Sequence, residues 1–168
     1  MKIIAVCLGN ICRSPLAHGI LNHLADEHKL DVYVDSAGTG SYHAGESPCN
    51  GSIQVALANG IDIRHYKARQ ITEHDLEYFD LILAMDTSNY NDMIRLSKDK
   101  IQKDKIRLVL NYSFPEQNRS VPDSYFTRNY QEVFDLLYDA CQELIKEIQK
   151  NKSQQIQDEQ KKQDHSLK

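Results

Sequence analysis

Four short apolar runs, each broken off by polar or turn-forming residues, limit what this chain can fold into. They span residues 2–8, 31–35, 80–85 and 106–110. Ile3-Ile4-Ala5-Val6 and Leu81-Ile82-Leu83-Ala84 are continuous rather than alternating, which marks strands covered on both faces. Helical patterns lie between them. After Ser14-Pro15, Leu16, Ala17, Ile20, Leu21, Leu24 and Ala25 recur at helical spacing, with Ser14 placed to cap and Pro15 suited to the first turn. A weaker helix is expected over 49–59, closed by Gly60, and another after Thr87. The last helix is expected over about residues 129–150, on a stripe that includes Val133, Leu137, Cys141, Leu144 and Ile148. Strand–helix alternation predicts an α/β fold whose parallel sheet has helices on both faces. Residues 151–168 are polar and are expected to form a disordered tail, because they bury too little apolar surface to offset ordering.

The 168 residues suit one domain. No apolar run approaches the roughly 20 residues of a membrane helix. The apolar N-terminus stops at Gly9-Asn10, too short for a signal peptide, so a cytoplasmic protein without membrane insertion is expected. A net charge of −4 with no basic stripe argues against nucleic acid. The four cysteines, Cys7, Cys12, Cys49 and Cys141, are too sparse for a disulfide framework and lack finger-like metal spacing. Cys49 and Cys141 read as packing thiols. The seven histidines read as surface residues; His18, His23 and His28, five apart, are spread around their helix rather than forming a metal face.

In open α/β sheets ligands bind beyond the C-terminal ends of the strands. Cys7 stands at such an end, in Cys7-Leu8-Gly9-Asn10-Ile11-Cys12-Arg13-Ser14. A tight strand-to-helix turn aims backbone N–H groups inward as an anion nest. Gly9 and Asn10 tolerate the left-handed angles it needs. The following helix directs its positive end at the same point, and Arg13 offers a planar fork to phosphate oxygens. A thiol in that field ionises more readily than a free one and becomes a nucleophile. Ser14 can donate to the sulfur. A lone cysteine at a strand end is most often a buried small hydrophobe. Here the strand, the Gly-Asn pair, the arginine and the helix start coincide, and they point to thiolate attack on a phosphate ester without metal or cofactor. The Gly-Lys-Ser/Thr ending of a nucleotide loop is absent.

Expelling a phenolate or alkoxide needs a proton donor, and one carboxyl group can serve both that step and later activation of water. Asp35, Asp86 and Asp123 are candidates, and spacing does not choose among them. Asp123 has Tyr125 and Phe126 beside it, side chains able to wall an aromatic substrate.

Over residues 1–150 the chain resembles the low-molecular-weight protein tyrosine phosphatases. The signature Cys-x-Gly-Asn-x-Cys-Arg-Ser-Pro matches from Cys7 to Pro15, with further matches at Asp35-Ser36-Ala37-Gly38-Thr39, Ala68-Arg69-Gln70 and Met85-Asp86. The resemblance implies a single-domain, open parallel four-stranded sheet with a phosphate-binding loop after the first strand. It implies a two-step reaction on a phosphotyrosine-containing protein substrate through a phosphocysteine, with Asp123 as general acid and then base. The family's segment is Asp-Pro-aromatic-aromatic; here Ser124 replaces the proline, which suggests a more mobile loop. The resemblance also assigns Asn10 and Ser36 to a supporting hydrogen-bond network, places Tyr42 and His43 at the substrate cleft, and implies a protective Cys7–Cys12 disulfide under oxidation. His65 departs from the spacing of some relatives and is left outside the site.

Arsenate reductases share this loop but need a cysteine relay, and residues 70–100 hold no cysteine. Protein-arginine phosphatases carry Thr where Ile11 stands, and isoleucine suits a phenyl ester while crowding a guanidinium. A non-catalytic phosphotyrosine-binding module has no need of Cys7, Arg13 and Asp123 together.

Overall fold

The four apolar runs become four parallel strands, β1 (Lys2–Cys7), β2 (Tyr33–Gly38), β3 (Leu81–Ala84) and β4 (Ile106–Leu108), in the order β2-β1-β3-β4. The computed structural model describes residues 1–166. Helices α1 (Arg13–Glu27), α2 (Asn50–Ala58), α3 (Glu73–Tyr78), α4 (Thr87–Leu96), α5 (Lys100–Asp104), α6 (Ser124–Thr127) and α7 (Tyr130–Ser166) connect and cover them.

The period of two along a strand explains the layering. Ile3, Ala5 and Cys7 of β1 face a core shared with α1, α2 and α7, while Ile4 and Val6 face a second core with α3 and α4. Leu81 and Leu83 of β3 join the first core, Ile82 and Ala84 the second. Ile20, Leu83 and Leu137 in the first core and Ile4, Ile82 and Met93 in the second are fully buried. Each contributes roughly 1.5–3 kcal/mol of burial. β1 is central, and its neighbours connect to it in opposite directions across the sheet. Its C-terminal end therefore lies at the switch point where such sheets bind ligands.

Four details differ from the sequence reading. The strand expected over 106–110 ends at Leu108, and Val109–Tyr112 tightens into a 3-10 helix. The second strand, expected to end at Asp35, continues: Ser36-Ala37-Gly38 pairs with Ala5, Val6 and Cys7 and completes β2. Three short helices, α3, α5 and α6, stand where the sequence predicts none. α3 is held by a Thr72/Asp75 capping box, and α5 by Asp99, which accepts from Gln102 N. The disordered tail expected over 151–168 is helical as far as Ser166; residues 167 and 168 lie outside the described residues. The physical reason is that α7 is already nucleated by its packed first half, so extension needs no new nucleus. Its Gln, Lys and Glu residues favour helix, and bonds such as Gln154 Nε2 to Asp158 Oδ1 (3.0 Å) support it.

Candidate active site

β1 delivers Cys7 to the edge of the sheet, and the chain turns at once. Asn10 adopts the left-handed conformation (φ 55°) that the turn requires, and its N–H points at Cys7 Sγ, 3.2 Å away. Gly38 lies so close beneath the loop that a Cβ there would meet Leu8 O at 2.6 Å. Thr39 N and Gly40 N donate to the carbonyls of Cys7 and Leu8, tying the two loops together.

Ser14 does not cap the helix, as its position had suggested. α1 begins at Arg13, with Cys12 as N-cap and no side-chain cap bond, so its first N–H groups stay free for an anion. The buried Ser14 hydroxyl instead sits 3.1 Å from Cys7 Sγ. Asn10 Nδ2 donates to Ser14 Oγ (2.8 Å), so the hydroxyl hydrogen has two acceptors within reach, the Cys7 sulfur at 3.1 Å and the Ala37 carbonyl at 3.4 Å.

Arg13 is buried and held from behind: Nη1 donates to Asp86 Oδ2 (2.8 Å) and the Val121 carbonyl (3.2 Å). Its Nη2 reaches Asp123 Oδ2 at 3.4 Å. Asp86, an alternative proton donor at the sequence level, is thus the residue that orients Arg13. It is the N-cap of α4, accepting from Asn89 N at 2.7 Å, and it follows β3 on the same sheet edge as Cys7. An aspartate between strand and helix on that edge is the signal that could have found it. Asp123 caps α6, its Oδ1 accepting from Tyr125 N at 3.2 Å.

Cys7, Leu8, Gly9, Ile11, Cys12 and Arg13 line a cleft of about 160 Å³ together with Tyr42, His43, Asp123, Tyr125 and Phe126. Asn10, Ser14 and Ser36 stand behind it. The exposed Tyr42, Tyr125 and Phe126 form its rim, and His43 is paired with Glu46 at 2.9 Å. Asp35 is not at the cleft. It and Asp75 hold Arg69, whose backbone N–H donates to Asn10 Oδ1 at 3.0 Å. Burial works against the Arg69 charge, but hydrogen bonds to Asp75 and Asp35 outweigh it and raise its pKa above the ordinary value. A larger groove of about 600 Å³, lined in part by Met1, Leu30 and Arg107, contains no thiol or imidazole.

Two residues read as surface or packing groups have other surroundings. His18 is buried, its Nδ1 3.1 Å from Ser36 Oγ and its ring stacked on Tyr66 at 3.9 Å. Desolvation lowers its pKa to about 4, against the pull of Asp35. An unfolded histidine near 6.5 binds protons that the folded one refuses, so stability is full above pH 6.5 and is lost as pH falls toward 4. The loss is expected to reach about 3 kcal/mol. Urea unfolding of the wild type and His18→Gln at pH 7, 5.5 and 4.5 checks this; the same pH slope in both proteins would contradict it. Cys49, in turn, is joined to Cys12 by a disulfide (Cα–Cα 5.4 Å), while Cys7 and Cys141 are free. The expected Cys7–Cys12 link is therefore not the pairing seen. Cys141 does match a packing thiol, since complete burial pushes its pKa up.

A profile described as low molecular weight phosphotyrosine protein phosphatase matches residues 2–154. The chain is 38% identical over 154 residues to the low molecular weight protein-tyrosine-phosphatase YfkJ of Bacillus subtilis, covering 90% of this chain and 98% of that one. The YfkJ crystal structure superposes with a TM-score of 0.85 at 38% identity, over 90% of this chain and 96% of that one. A protein tyrosine phosphatase from Entamoeba histolytica gives 0.84 at 33% identity, over 90% and 99%. The Drosophila arginine phosphatase gives 0.82 at 30%, over 88% and 98%. The sequence profile, the relatives and the fold agree: the chain belongs to the low molecular weight phosphotyrosine protein phosphatase family, whose members are cysteine-based, metal-independent hydrolases.

Proposed function

We propose that Cys7 attacks the phosphorus of a phosphotyrosine side chain, with Arg13 and the amides of residues 8–14 binding the phosphate and Asp123 moving the proton. The observation that carries this reading is the placing of Cys7, Arg13 and Asp123 on one cleft, with Ser14 Oγ 3.1 Å and Asn10 N 3.2 Å from the sulfur. Both groups can donate to a thiolate, so it is held in place before substrate arrives. As the ester bond breaks, negative charge on the equatorial oxygens meets the Arg13 fork and the free N–H groups of α1. Asp123 gives its proton to the departing phenolate. It then takes one from the water that hydrolyses the phosphocysteine. The Ser14 hydroxyl stabilises the sulfur as it leaves.

Tyr42, Tyr125 and Phe126 offer faces to an aryl ring at the mouth of the cleft, and the buried Ile11 narrows its floor. This favours a phosphotyrosine-bearing protein over a phosphoarginine-bearing one. Phosphate release from a phosphotyrosine peptide is expected to exceed that from a phosphoarginine peptide by at least about 10²-fold in kcat/KM, the scale of about 3 kcal/mol of differential binding. Ile11→Thr is expected to narrow the ratio. Equal rates on both peptides in the wild type would reject the assignment to phosphotyrosine.

A further inference from the structure

Three of the four cysteines converge on the loop, and the bonded pair, Cys12 and Cys49, is one that phosphate-ester hydrolysis does not use. We propose that Cys49 is a second resolving thiol: it returns Cys7 to its reduced form after oxidation by a hydroperoxide, leaving a Cys12–Cys49 disulfide.

The surroundings of the three sulfurs support this. Cys12 is the N-cap of α1 and Cys49 the N-cap of α2, so each lies at the positive end of a helix. Ser52 Oγ is 3.1 Å from Cys49 Sγ, the same relation that Ser14 has to Cys7. Cys49 N donates to the Ile11 carbonyl (2.7 Å) and Ser52 Oγ to the Cys12 carbonyl (3.0 Å). These bonds keep the start of α2 against the loop whether or not the sulfurs are joined. Cys7 and Cys12 line the substrate cleft, while the half-buried Cys49 opens on a neighbouring groove of about 540 Å³ beside Gln54 and Tyr130. Peroxide thus enters where phosphate does, and a dithiol reductant meets the disulfide at Cys49.

The steps balance. The Cys7 thiolate attacks a peroxide oxygen, the O–O bond breaks, and the released alkoxide or hydroxide takes a proton, leaving a sulfenic acid. Cys12 attacks Cys7 Sγ, forming Cys7–Cys12 and expelling water. Cys49 attacks Cys12 Sγ, the Cys7–Cys12 bond breaks, and Cys7 departs as thiolate. One hydroperoxide and two thiols give alcohol, water and one disulfide, with Cys7 unchanged.

This rests on Cys7 being the reactive thiolate, which the aryl phosphatase rate before oxidation tests separately. The reduced full-length protein is treated with one equivalent of hydrogen peroxide, and its disulfides are mapped by mass spectrometry. Wild type is expected to end as Cys12–Cys49 with its rate largely retained. Cys49→Ser is expected to start at the wild-type rate, then stop as Cys7–Cys12 until dithiothreitol is added. In Cys7→Ser, or in wild type saturated with inorganic phosphate, Cys12–Cys49 is expected to form at least about tenfold more slowly, because the thiolate that reacts with peroxide is gone or covered. Undiminished disulfide formation in both, or a Cys49→Ser protein as peroxide-resistant as wild type, would overturn the proposal.

Discussion

Replacing Cys7 by serine is expected to lower turnover of an aryl phosphate by roughly 10⁴-fold or more, the scale seen when a catalytic nucleophile is removed. Inorganic phosphate should still bind. Serine has nearly the shape of cysteine, and the groups that hold phosphate belong to other residues: the loop amides and Arg13, itself fixed by Asp86 and Val121. What is lost is the thiolate. A serine hydroxyl in this loop has no base beside it to take its proton, since the hydrogen-bonding groups at the sulfur are the Asn10 N–H and the Ser14 hydroxyl. Steady-state kinetics together with phosphate titration separates the two functions. An undiminished rate would end the assignment of Cys7.

The second large effect is expected at Asp123. Its removal should cost about 10²–10⁴-fold on esters of poor leaving groups such as phenol, and much less on nitrophenyl esters whose leaving group needs no proton. Asp123 also accepts from Tyr125 N and from Arg13, so truncation to alanine disturbs a helix cap as well as the chemistry. Asp123→Asn separates cap from chemistry, because its amide oxygen still accepts from Tyr125 N but the side chain carries no titrating proton. Asp123→Asn and Asp123→Ala are expected to share the leaving-group dependence. Equal losses on good and poor leaving groups would remove Asp123 as the acid.

Local chemistry was readable in the sequence. The continuous run Ile3-Ile4-Ala5-Val6 reports burial on both faces of a central strand, and Asn10 between Gly9 and Ile11 reports a left-handed turn. Both are properties of neighbouring residues. The partners of Arg13 are not: Asp86 lies 73 residues away in the chain and meets it only because β3 pairs beside β1. Cys49 likewise lies 37 residues from Cys12, and its pairing depends on where α2 begins. His18 looked like a surface residue because its burial comes from Ser36 and Tyr66, on elements distant in sequence. The Thr72-to-Asp75 box that starts α3 was readable, though no long apolar stripe drew attention to it. Composition misjudged residues 151–166, since polar residues that bury nothing still extend a helix already formed.

The most direct test of the nucleophile is to capture the covalent intermediate. Asp123→Asn slows hydrolysis of the phosphoenzyme, so rapid acid quenching of that variant during turnover of a nitrophenyl ester should trap phosphate on the protein. Peptide mapping is expected to find it on Cys7. Phosphate on another residue, or single turnover with no covalent adduct at any time point, would contradict the phosphocysteine route.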